Sequence, residues 1–407
     1  MSKKILVIDD SALMRRVMSD IIKTRDEYQV AAIAKDGVEG FELIVSNPTL
    51  YDAIILDINM PRLNGLELLE KLQKNRISQT VIVVSTVAKE GAKETIRALE
   101  LGAFDFVTKP ENYIDTRGDD FKGRLLSMLD VATSQGKRVN SIVGFNTFKD
   151  DKKLSEKKTT EKSSGDKISA QKSSTEKKNT VSSSLSDILS KRKMEQTVSE
   201  PARIDTASVK NIKPGKKKIV ALACSTGGPK SLQRVIPYIP ADIDAPIVLV
   251  QHMPKGFTAS LAQRLNEMSK VKVVEAKNGE EIVNGCVYIA PGGFHMEVTR
   301  EGGKYKIKIT DDPPVDALKP CANKMYASLE NTDYDEITCV VLTGMGADGT
   351  KGIQGLSRKK KVYVIAQDEE TSVVYGMPKA IKEAGMVNEV KPLDEIAATI
   401  IKNVGVS

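Results

Sequence analysis

Residues 4–11 read KILVIDDS, a short apolar run that ends at two adjacent aspartates. An unbroken apolar run of about four to eight residues is typical of a strand that is buried on both faces of a sheet. Ser11 can then cap a helix, in which the apolar residues recur at helical spacing: Leu13, Met14, Val17, Met18, Ile21 and Ile22. The stretch therefore predicts a strand–loop–helix unit that opens an α/β domain.

Three more apolar runs follow before residue 130, and each ends at polar residues. They predict strands over Ala53–Leu56, Val81–Val84 and Phe104–Val107. Apolar strands separated by helices indicate a parallel sheet with both faces covered. Because the carboxyl ends of neighbouring parallel strands meet at one edge, the residues that follow these strands should lie close together.

Five polar residues follow those strands. Asp9, Asp10 and Asp57 can form one cage of carboxylate oxygens, which suits Mg2+. Ser85 and Lys109 follow the next two strands, where a hydroxyl and an ammonium would contact an acyl phosphate on Asp57. A single aspartate at a strand end is usually an ordinary turn residue, but the five residues together indicate a phosphoryl acceptor site.

This constellation resembles the receiver domain of two-component response regulators over residues 3–125. The motifs that carry the resemblance are Asp9-Asp10-Ser11, Asp57-Ile58-Asn59-Met60-Pro61 with Gly65, Ser85-Thr86 and Lys109-Pro110. The resemblance implies a flavodoxin-like fold with a parallel five-stranded sheet, phosphorylation of Asp57, and Mg2+ as the cofactor of that reaction. It also implies the following roles: Asp9, Asp10 and Asp57 as metal ligands, Ser85 and Lys109 as switch residues, and Phe106 as the rotating aromatic residue.

The composition changes sharply after the first domain. Residues 151–218 hold 18 Lys and Arg against 9 Asp and Glu, whereas acids outnumber bases by 45 to 43 in the rest of the chain. Within it, residues 151–180 contain only Leu154, Ile168 and Ala170 as apolar residues, too little to offset the ordering entropy of the chain. We therefore predict a receiver domain over 1–130, a disordered Lys/Ser-rich linker over 131–216, and a second domain over 217–407. Within the linker, Leu185, Ile188 and Leu189 have helical spacing, and they form either a short docking helix or plain linker.

The second domain repeats the α/β pattern. Its apolar runs predict strands over Ile219–Ala223, Ile247–Val250, Val287–Ile289, Ile337–Leu342 and Val362–Ile365. They favour a doubly wound, mostly parallel α/β domain. Ser225, His252 and Asp348 each follow one of these strands, which is the arrangement that a nucleophile, its base and an orienting carboxylate require.

Other interpretations of these loops stay open on the residues alone. Gly344-x-Gly346-x-x-Gly349 matches a dinucleotide-binding fingerprint, with Asp368 about 20 residues further on. Cys224 could compete with Ser225 as the nucleophile, although a cysteine at the end of a buried strand is usually inert. His295 either lines the site or is an ordinary loop residue.

Taken together, four motifs resemble the chemotaxis protein-glutamate methylesterase family over residues 217–403: Ser225-Thr-Gly-Gly228, Gln251-His-Met-Pro254, Ala290-Pro-Gly with His295-Met296, and Gly344-Met-Gly-x-Asp-Gly349. The resemblance implies phosphorylation-activated hydrolysis of glutamyl methyl esters on methyl-accepting chemoreceptors, together with glutamine deamidation. It implies a chemotaxis histidine kinase as phosphodonor, and no cofactor for the ester chemistry. The implied roles are nucleophile for Ser225, base for His252, orienting group for Asp348, and oxyanion or substrate contacts for Thr226, Met345 and His295.

Composition narrows the function class further. No apolar stretch reaches the about 18 residues of a membrane span, and the N-terminal run is too short for a signal peptide. The four cysteines form no CxxC pair, which suits a reducing compartment. We expect a cytoplasmic, monomeric enzyme that does not insert into membranes. The near-neutral second domain and the scarcity of aromatic residues predict that it binds no nucleic acid. The competing hypothesis is a receiver-controlled module that binds a nucleotide or another ligand without esterase activity.

Overall fold

The computed structural model describes residues 2–86, 88–110, 119–134 and 217–406. In the first three of these ranges, one parallel sheet has five strands in the order β2-β1-β3-β4-β5. The strands are β1 (Lys3–Ile8), β2 (Tyr28–Ala34), β3 (Ala53–Asp57), β4 (Val81–Ser85) and β5 (Asp105–Thr108). This confirms the predicted flavodoxin-like fold.

Helices cover both faces of this sheet. They are α1 (Ala12–Ile22), α2 (Gly37–Ser46), α3 (Gly65–Lys74), α4 (Lys89–Glu100) and α5 (Asp119–Ser134). The hydroxyl of Ser11 caps α1 by accepting a hydrogen bond from the amide of Met14, at 3.3 Å, as the sequence predicts. Helix α5 continues four residues past the predicted domain boundary at 130, because Leu129 and Ala132 extend its buried apolar face.

The second domain is also built on a parallel sheet. Within residues 217–406 this sheet has seven strands, in the order β14-β13-β12-β6-β7-β9-β8. The strands are β6 (Lys218–Cys224), β7 (Ile247–Gln251), β8 (Lys272–Glu275), β9 (Cys286–Ile289), β12 (Glu336–Val341), β13 (Val362–Gln367) and β14 (Glu389–Lys391). The doubly wound class is therefore confirmed, and β6, β7 and β12 lie side by side near the centre.

An antiparallel hairpin and six helices complete this domain as far as residues 217–406 describe it. The hairpin pairs β10 (His295–Glu301) with β11 (Lys304–Thr310). The helices are α6 (Gly228–Val235), α7 (Phe257–Met268), α8 (Ala322–Ser328), α9 (Thr350–Ser357), α10 (Met377–Glu383) and α11 (Leu393–Val404). Helices α6, α7 and α9 begin at the sheet edge where β6, β7 and β12 end, so three chain loops converge there.

Two sequence predictions concern residues that the structure does not describe. The linker prediction falls outside the described residues from 135 to 216, and so does the patch of Leu185, Ile188 and Leu189. In the described parts of the chain, every helix is too short or too polar to cross a lipid bilayer.

Candidate active site and phosphoacceptor site

Three carboxylates converge at the carboxyl edge of the N-terminal sheet. Asp9 and Asp10 follow β1, Asp57 ends β3, and ligand oxygens of all three lie within 4.8 Å of one another. Nζ of Lys109 lies 2.9 Å from Oδ2 of Asp9 and 2.8 Å from Oδ2 of Asp57. The sequence prediction that these four residues meet therefore agrees with the structure.

The electrostatics of this pocket suit a cation. Burial raises the pKa of Asp57 to about 6, although the charge of Lys109 opposes that rise. Burial lowers the pKa of Lys109, but the charges of Asp57 and Asp9 outweigh it and leave the pKa raised. Oδ2 of Asp9 is buried, and among the described residues it has the ion pair with Lys109 but no hydrogen bond of normal geometry. Hard carboxylate oxygens with an unsatisfied atom among them fit Mg2+.

Ser85, a predicted switch residue, and Phe106, the predicted rotating aromatic residue, lie on the neighbouring strands β4 and β5. The hydroxyl of Ser85 is buried at the end of β4, where the carbonyls of Gly91 and Thr86 lie 3.2 and 3.3 Å away as acceptors. Phe106 lies on β5, and its ring stacks on that of Phe257 with 4.8 Å between the centroids. Phe106 thus joins the N-terminal sheet to the second domain.

Ser225 directly follows β6 in a tightly held loop. Its amide donates to the carbonyl of Thr343 at 3.0 Å, and its carbonyl accepts from the amide of Gly228 at 2.7 Å. Gly227 has φ +75°, which disfavours other residues, and a side chain at Gly228 would collide with the amide oxygen of Gln251. The two glycines therefore let the chain turn from β6 into α6 directly behind Ser225.

His252 and Asp348 form a buried pair. Nε2 of His252 lies 2.8 Å from Oδ2 of Asp348. The carboxylate also accepts hydrogen bonds from the amides of Ala322 and Asn323, at 2.6 and 2.9 Å. Burial acts to raise the pKa of Asp348, but the bond and charge of His252 and these amides lower it to about 2. Asp348 therefore stays ionised and fixes the orientation of the imidazole ring.

Ser225 and His252 line the same cavity. Because Nε2 of His252 is engaged by Asp348, Nδ1 is the ring nitrogen left to serve a nucleophile. Among the described residues, no hydrogen bond yet joins the Ser225 hydroxyl to this ring. Catalytic hydrogen bonds are often long before substrate binds, so the arrangement is compatible with a base.

Sequence reasoning assigned no role to Gln251, the last residue of β7. Its side chain is almost fully buried, and Nε2 donates to the carbonyls of Ser225 and His252, at 3.0 and 3.1 Å. Its Oε1 accepts from the thiol of Cys224 at 3.0 Å. One amide group therefore ties the nucleophile loop to the base loop. Its place in Gln251-His252 at a strand end is the signal that could have pointed to it.

Three further predicted site residues have different positions. Thr226 and Met345 line the cavity with Ser225, and the side chain of Met345 is half exposed. His295 is fully buried at the start of β10, with Nε2 3.1 Å from the carbonyl of Pro313. It is not among the residues that line the cavity. The structure therefore brings Thr226 and Met345 to the site, but it does not support a direct substrate contact for His295.

Both parts of the chain match known protein families. Residues 220–400 match the CheB methylesterase family, and residues 5–116 match the response regulator receiver domain. The protein-glutamate methylesterase/protein-glutamine glutaminase of Pyrococcus horikoshii is 37% identical over 401 residues, which cover 98% of this chain and 93% of that protein. The chain belongs to the CheB methylesterase family. The Bacillus subtilis protein of the same name is 37% identical over 404 residues, covering 98% of this chain and 97% of that protein.

A solved structure of the family covers one part of the chain. The crystal structure of the Thermotoga maritima CheB methylesterase catalytic domain is 43% identical and covers 47% of this chain and 99% of that domain, with a TM-score of 0.44. In this CheB family chain the catalytic domain is accompanied by the receiver, so the contact between the two domains can be described.

The receiver lies over the Ser225 loop. Oδ2 of Asp105, on β5, accepts a hydrogen bond of 3.2 Å from the amide of Gly227. Further out, Nε of Arg264 on α7 lies 2.5 Å from Oε1 of Glu100 on α4. Together with the Phe106 stack, these contacts place β5 and α4 of the receiver against the entrance of the catalytic site. Sequence reasoning did not identify Asp105, because nothing in a single sequence marks a contact between domains.

Proposed function

We propose that this protein hydrolyses glutamyl methyl esters on chemoreceptors, under control of phosphorylation at Asp57. The observation that carries the proposal is the position of Ser225, His252 and Asp348 in one site that the receiver covers. A hydroxyl, an imidazole and a buried carboxylate at the ends of adjacent strands are what acyl transfer requires. The relatives named above carry the same activity in their names.

The reaction follows from the geometry of the site. The hydroxyl of Ser225 gives its proton to Nδ1 of His252 and attacks the ester carbonyl. The imidazolium, held by Asp348, returns the proton to the methoxy group, and methanol leaves. Water then gives a proton to His252 and attacks the acyl-serine, which releases the glutamate carboxylate and restores Ser225. The same steps with ammonia as leaving group would convert glutamine to glutamate.

The oxyanion that forms in each step needs hydrogen-bond donors. Among residues 217–406, the amide of Met345 has no hydrogen-bond acceptor, and Met345 lines the cavity beside Ser225. An amide without an acceptor next to the nucleophile suits a transient oxyanion. We assign this role to Met345, with the Thr226 hydroxyl as a polar neighbour of the substrate.

Phosphorylation acts through the receiver. Asp9, Asp10 and Asp57 would hold Mg2+, which neutralises charge on the incoming phosphoryl group. Lys109 would pair with a phosphoryl oxygen, and so would change its contacts with Asp57 and Asp9. Lys109 directly follows β5, whose Asp105 touches the Ser225 loop. A shift of β5 would therefore weaken the cover over the site.

The remaining features of the proposal concern the cellular setting. We infer a chemotaxis histidine kinase as phosphodonor, methyl-accepting chemoreceptors as substrates, a monomeric state and a cytoplasmic location. The residues in the site supply all the groups that ester hydrolysis needs, so no cofactor is invoked for that step.

A nucleotide-binding output is not favoured. A side chain at Gly344 would meet the backbone and Cβ of Ser225, so the loop packs tightly on the nucleophile. The carboxylate of Asp348, inside the same loop, is already bonded to His252. Asp368 accepts the amide and hydroxyl of Thr371 and is thereby engaged. The glycine pattern is thus explained by packing of the catalytic loops.

The test is methanol release from receptor membranes that carry methylated glutamates. The full chain should release methanol slowly, and much faster with Mg2+ and acetyl phosphate. Asp57→Asn should lose only the stimulation, whereas Ser225→Ala should lose both rates. Full methanol release by Ser225→Ala would overturn the proposed nucleophile.

A further inference from the structure

The receiver does not fill the space above Ser225. A cavity of about 400 Å³ remains between β5 and α5 of the receiver and the catalytic loops, and Ser225 and His252 both line it. Ser225 is partly exposed, and the half-exposed Met345 borders the same space, so solvent reaches the nucleophile. The site is covered, but it is not closed.

The size of this cavity separates two kinds of substrate. Cavities that bind drug-sized molecules measure about 300 to 1,000 Å³, so 400 Å³ admits a small ester. A receptor helix with its side chains is about 10 Å wide, and the β5 and α5 residues that line the cavity stand opposite Ser225, where such a helix would have to lie. A receptor helix can reach Ser225 only after the receiver moves, whereas a small molecule can enter the cavity while the receiver stays in place.

The lining of the cavity indicates the chemistry of such a molecule. Phe106, Val107 and Met128 supply an apolar wall on the receiver side, and Pro254 continues it on the catalytic side. Polar and charged side chains line the rest of the cavity: Asp105, Thr108, Arg124 and Ser127 on the receiver side, and Ser225, Thr226, Gln251 and His252 on the catalytic side. The apolar wall gives a small ester a surface to pack on, and an uncharged ester avoids the cost of desolvating a charge against it.

We infer that the unphosphorylated protein hydrolyses small uncharged esters at Ser225, so that the receiver acts as a size filter on the substrate. The inference rests on the proposed role of Ser225 as nucleophile. The small ester acylates Ser225 and loses its alcohol, and water then releases the acid, so the step is balanced without a further reactant. Phosphorylation therefore controls which substrates enter the site, while Ser225 and His252 line the cavity already in the unphosphorylated protein.

The experiment compares two substrates on the full chain. p-Nitrophenyl acetate should be hydrolysed without a phosphodonor, and Mg2+ with acetyl phosphate should change that rate less than twofold. Methanol release from receptor membranes should rise much more under the same conditions. Parallel stimulation of both substrates would overturn the size filter and leave the esterase assignment intact. If Ser225→Ala cleaves p-nitrophenyl acetate at the wild-type rate, the assignment of the nucleophile itself fails.

A variant of the receiver tests the route through the cavity. Gly123 on α5 lines the cavity, and a Cβ there would meet no atom within 4 Å. Gly123→Phe should therefore fill the space, lower the p-nitrophenyl acetate rate at least fivefold without phosphodonor, and regain it with phosphodonor. Lys122→Phe is the matched control, because Lys122 neighbours Gly123 on α5 and is not among the cavity-lining residues. No effect of Gly123→Phe in folded protein would overturn the inference.

A series of acyl chain lengths tests the size limit of the cavity directly. p-Nitrophenyl acetate, butyrate and octanoate should be hydrolysed at rates that fall with length in the unphosphorylated protein. The fall should become shallower with phosphodonor. Gly123→Leu, which adds less volume than Phe, should move the length cutoff to shorter chains. An identical length profile with and without phosphodonor would contradict a cavity that limits substrate size.

Discussion

The carboxylate of Asp105, on the receiver, accepts a hydrogen bond of 3.2 Å from the amide of Gly227, two residues beyond Ser225. The regulatory domain therefore touches the nucleophile loop itself. A backbone amide that is buried without an acceptor costs about 1–3 kcal/mol, so this contact can contribute substantially to the covered state.

Asp105→Ala should raise the rate of receptor demethylation in the absence of phosphodonor. Loss of about 1–3 kcal/mol shifts the ratio of covered to open protein by about 5- to 150-fold, with the phosphorylated rate as the upper limit. Asp20→Ala is the control, because Asp20 is an exposed carboxylate on α1. An unchanged basal rate in Asp105→Ala would show that the contact contributes nothing to inhibition.

The covered state should become more stable as the pH falls. Burial raises the pKa of Asp105 to about 6, although the amides of Phe106 and Gly227 oppose the rise. When the domains separate, the pKa returns to about 3.9, so the covered state binds a proton more readily between pH 4 and 6. This contribution is present below about pH 4 and is lost as the pH rises through about 6.

Hydrogen exchange at the Gly227 amide measures this dependence. Protection relative to an unfolded reference should fall from pH 5 to pH 7. The protein should carry Asp57→Asn, because Asp57 is a second carboxylate with a pKa near 6 among the described receiver residues. Adding Asp105→Asn should flatten the profile. The same pH dependence in both proteins would assign it to a different group.

The ion pair of Glu100 and Arg264 should contribute weakly to the domain contact. The side chain of Arg264 is 38% exposed, and pairs of this kind contribute about 0.2–1 kcal/mol. Glu100→Gln and Arg264→Gln should each raise the basal rate of receptor demethylation by less than about fivefold. The double variant should have no higher basal rate than either single variant, because both substitutions remove the same ion pair. The effect should diminish in 0.5 M salt because of screening. Additive effects would show that the two side chains act separately.

Gln251 should act on turnover more than on substrate binding. Gln251→Met removes the donors to the carbonyls of Ser225 and His252, so the two loops lose their common anchor. We expect kcat to fall about 10- to 100-fold with little change in KM, as for loss of catalytic alignment. Asn388→Ala is the control, since Asn388 accepts the amide of Val364 and contacts neither loop. Equal loss of kcat in both variants would indicate a general loss of stability.

Asp348→Asn should reduce ester hydrolysis less than Ser225→Ala or His252→Ala, because it orients the base rather than reacting. Since the pKa of Asp348 is about 2, its carboxylate stays ionised at every pH above about 4. If the rate of hydrolysis falls as the pH is lowered from 8 to 5, that fall should therefore arise from the protonation of another group. Measured with phosphodonor present, a fall in that range that vanishes in Asp348→Asn would contradict this assignment.

The sequence predicts the elements that carry the strongest apolar signal. The strands at residues 53, 81, 219 and 247 are found within one or two residues of their predicted ends, because strands buried on both faces are continuous apolar runs. Strands β2, β8 and β14 and the hairpin of β10 and β11 are absent from the predictions. In the hairpin strands, polar residues alternate with apolar ones, so no continuous apolar run marks them. That alternation is the usual pattern of a half-buried strand and could have revealed them.

The residues of the candidate site also differ in whether the sequence alone could predict them. Ser225, His252, Asp348 and Asp57 could be predicted because each follows an apolar strand of a parallel sheet. Asp105 could not, because its role depends on a tertiary contact across 122 residues of chain. The strand-end position of Gln251 was a signal, but its role as a tie between two loops depends on a contact across 26 residues. His295 has a residue type suited to catalysis, but packing places its ring in the interior.

The four cysteines are all buried and without disulfide partners. Burial raises the pKa of each thiol, to about 11 for Cys321 beside Asp348, so the reactive thiolate is scarce at neutral pH. Native thiols should therefore leave maleimide dyes and spin labels almost untouched. A single cysteine introduced on each domain surface would then report the distance between receiver and catalytic domain in otherwise unaltered protein.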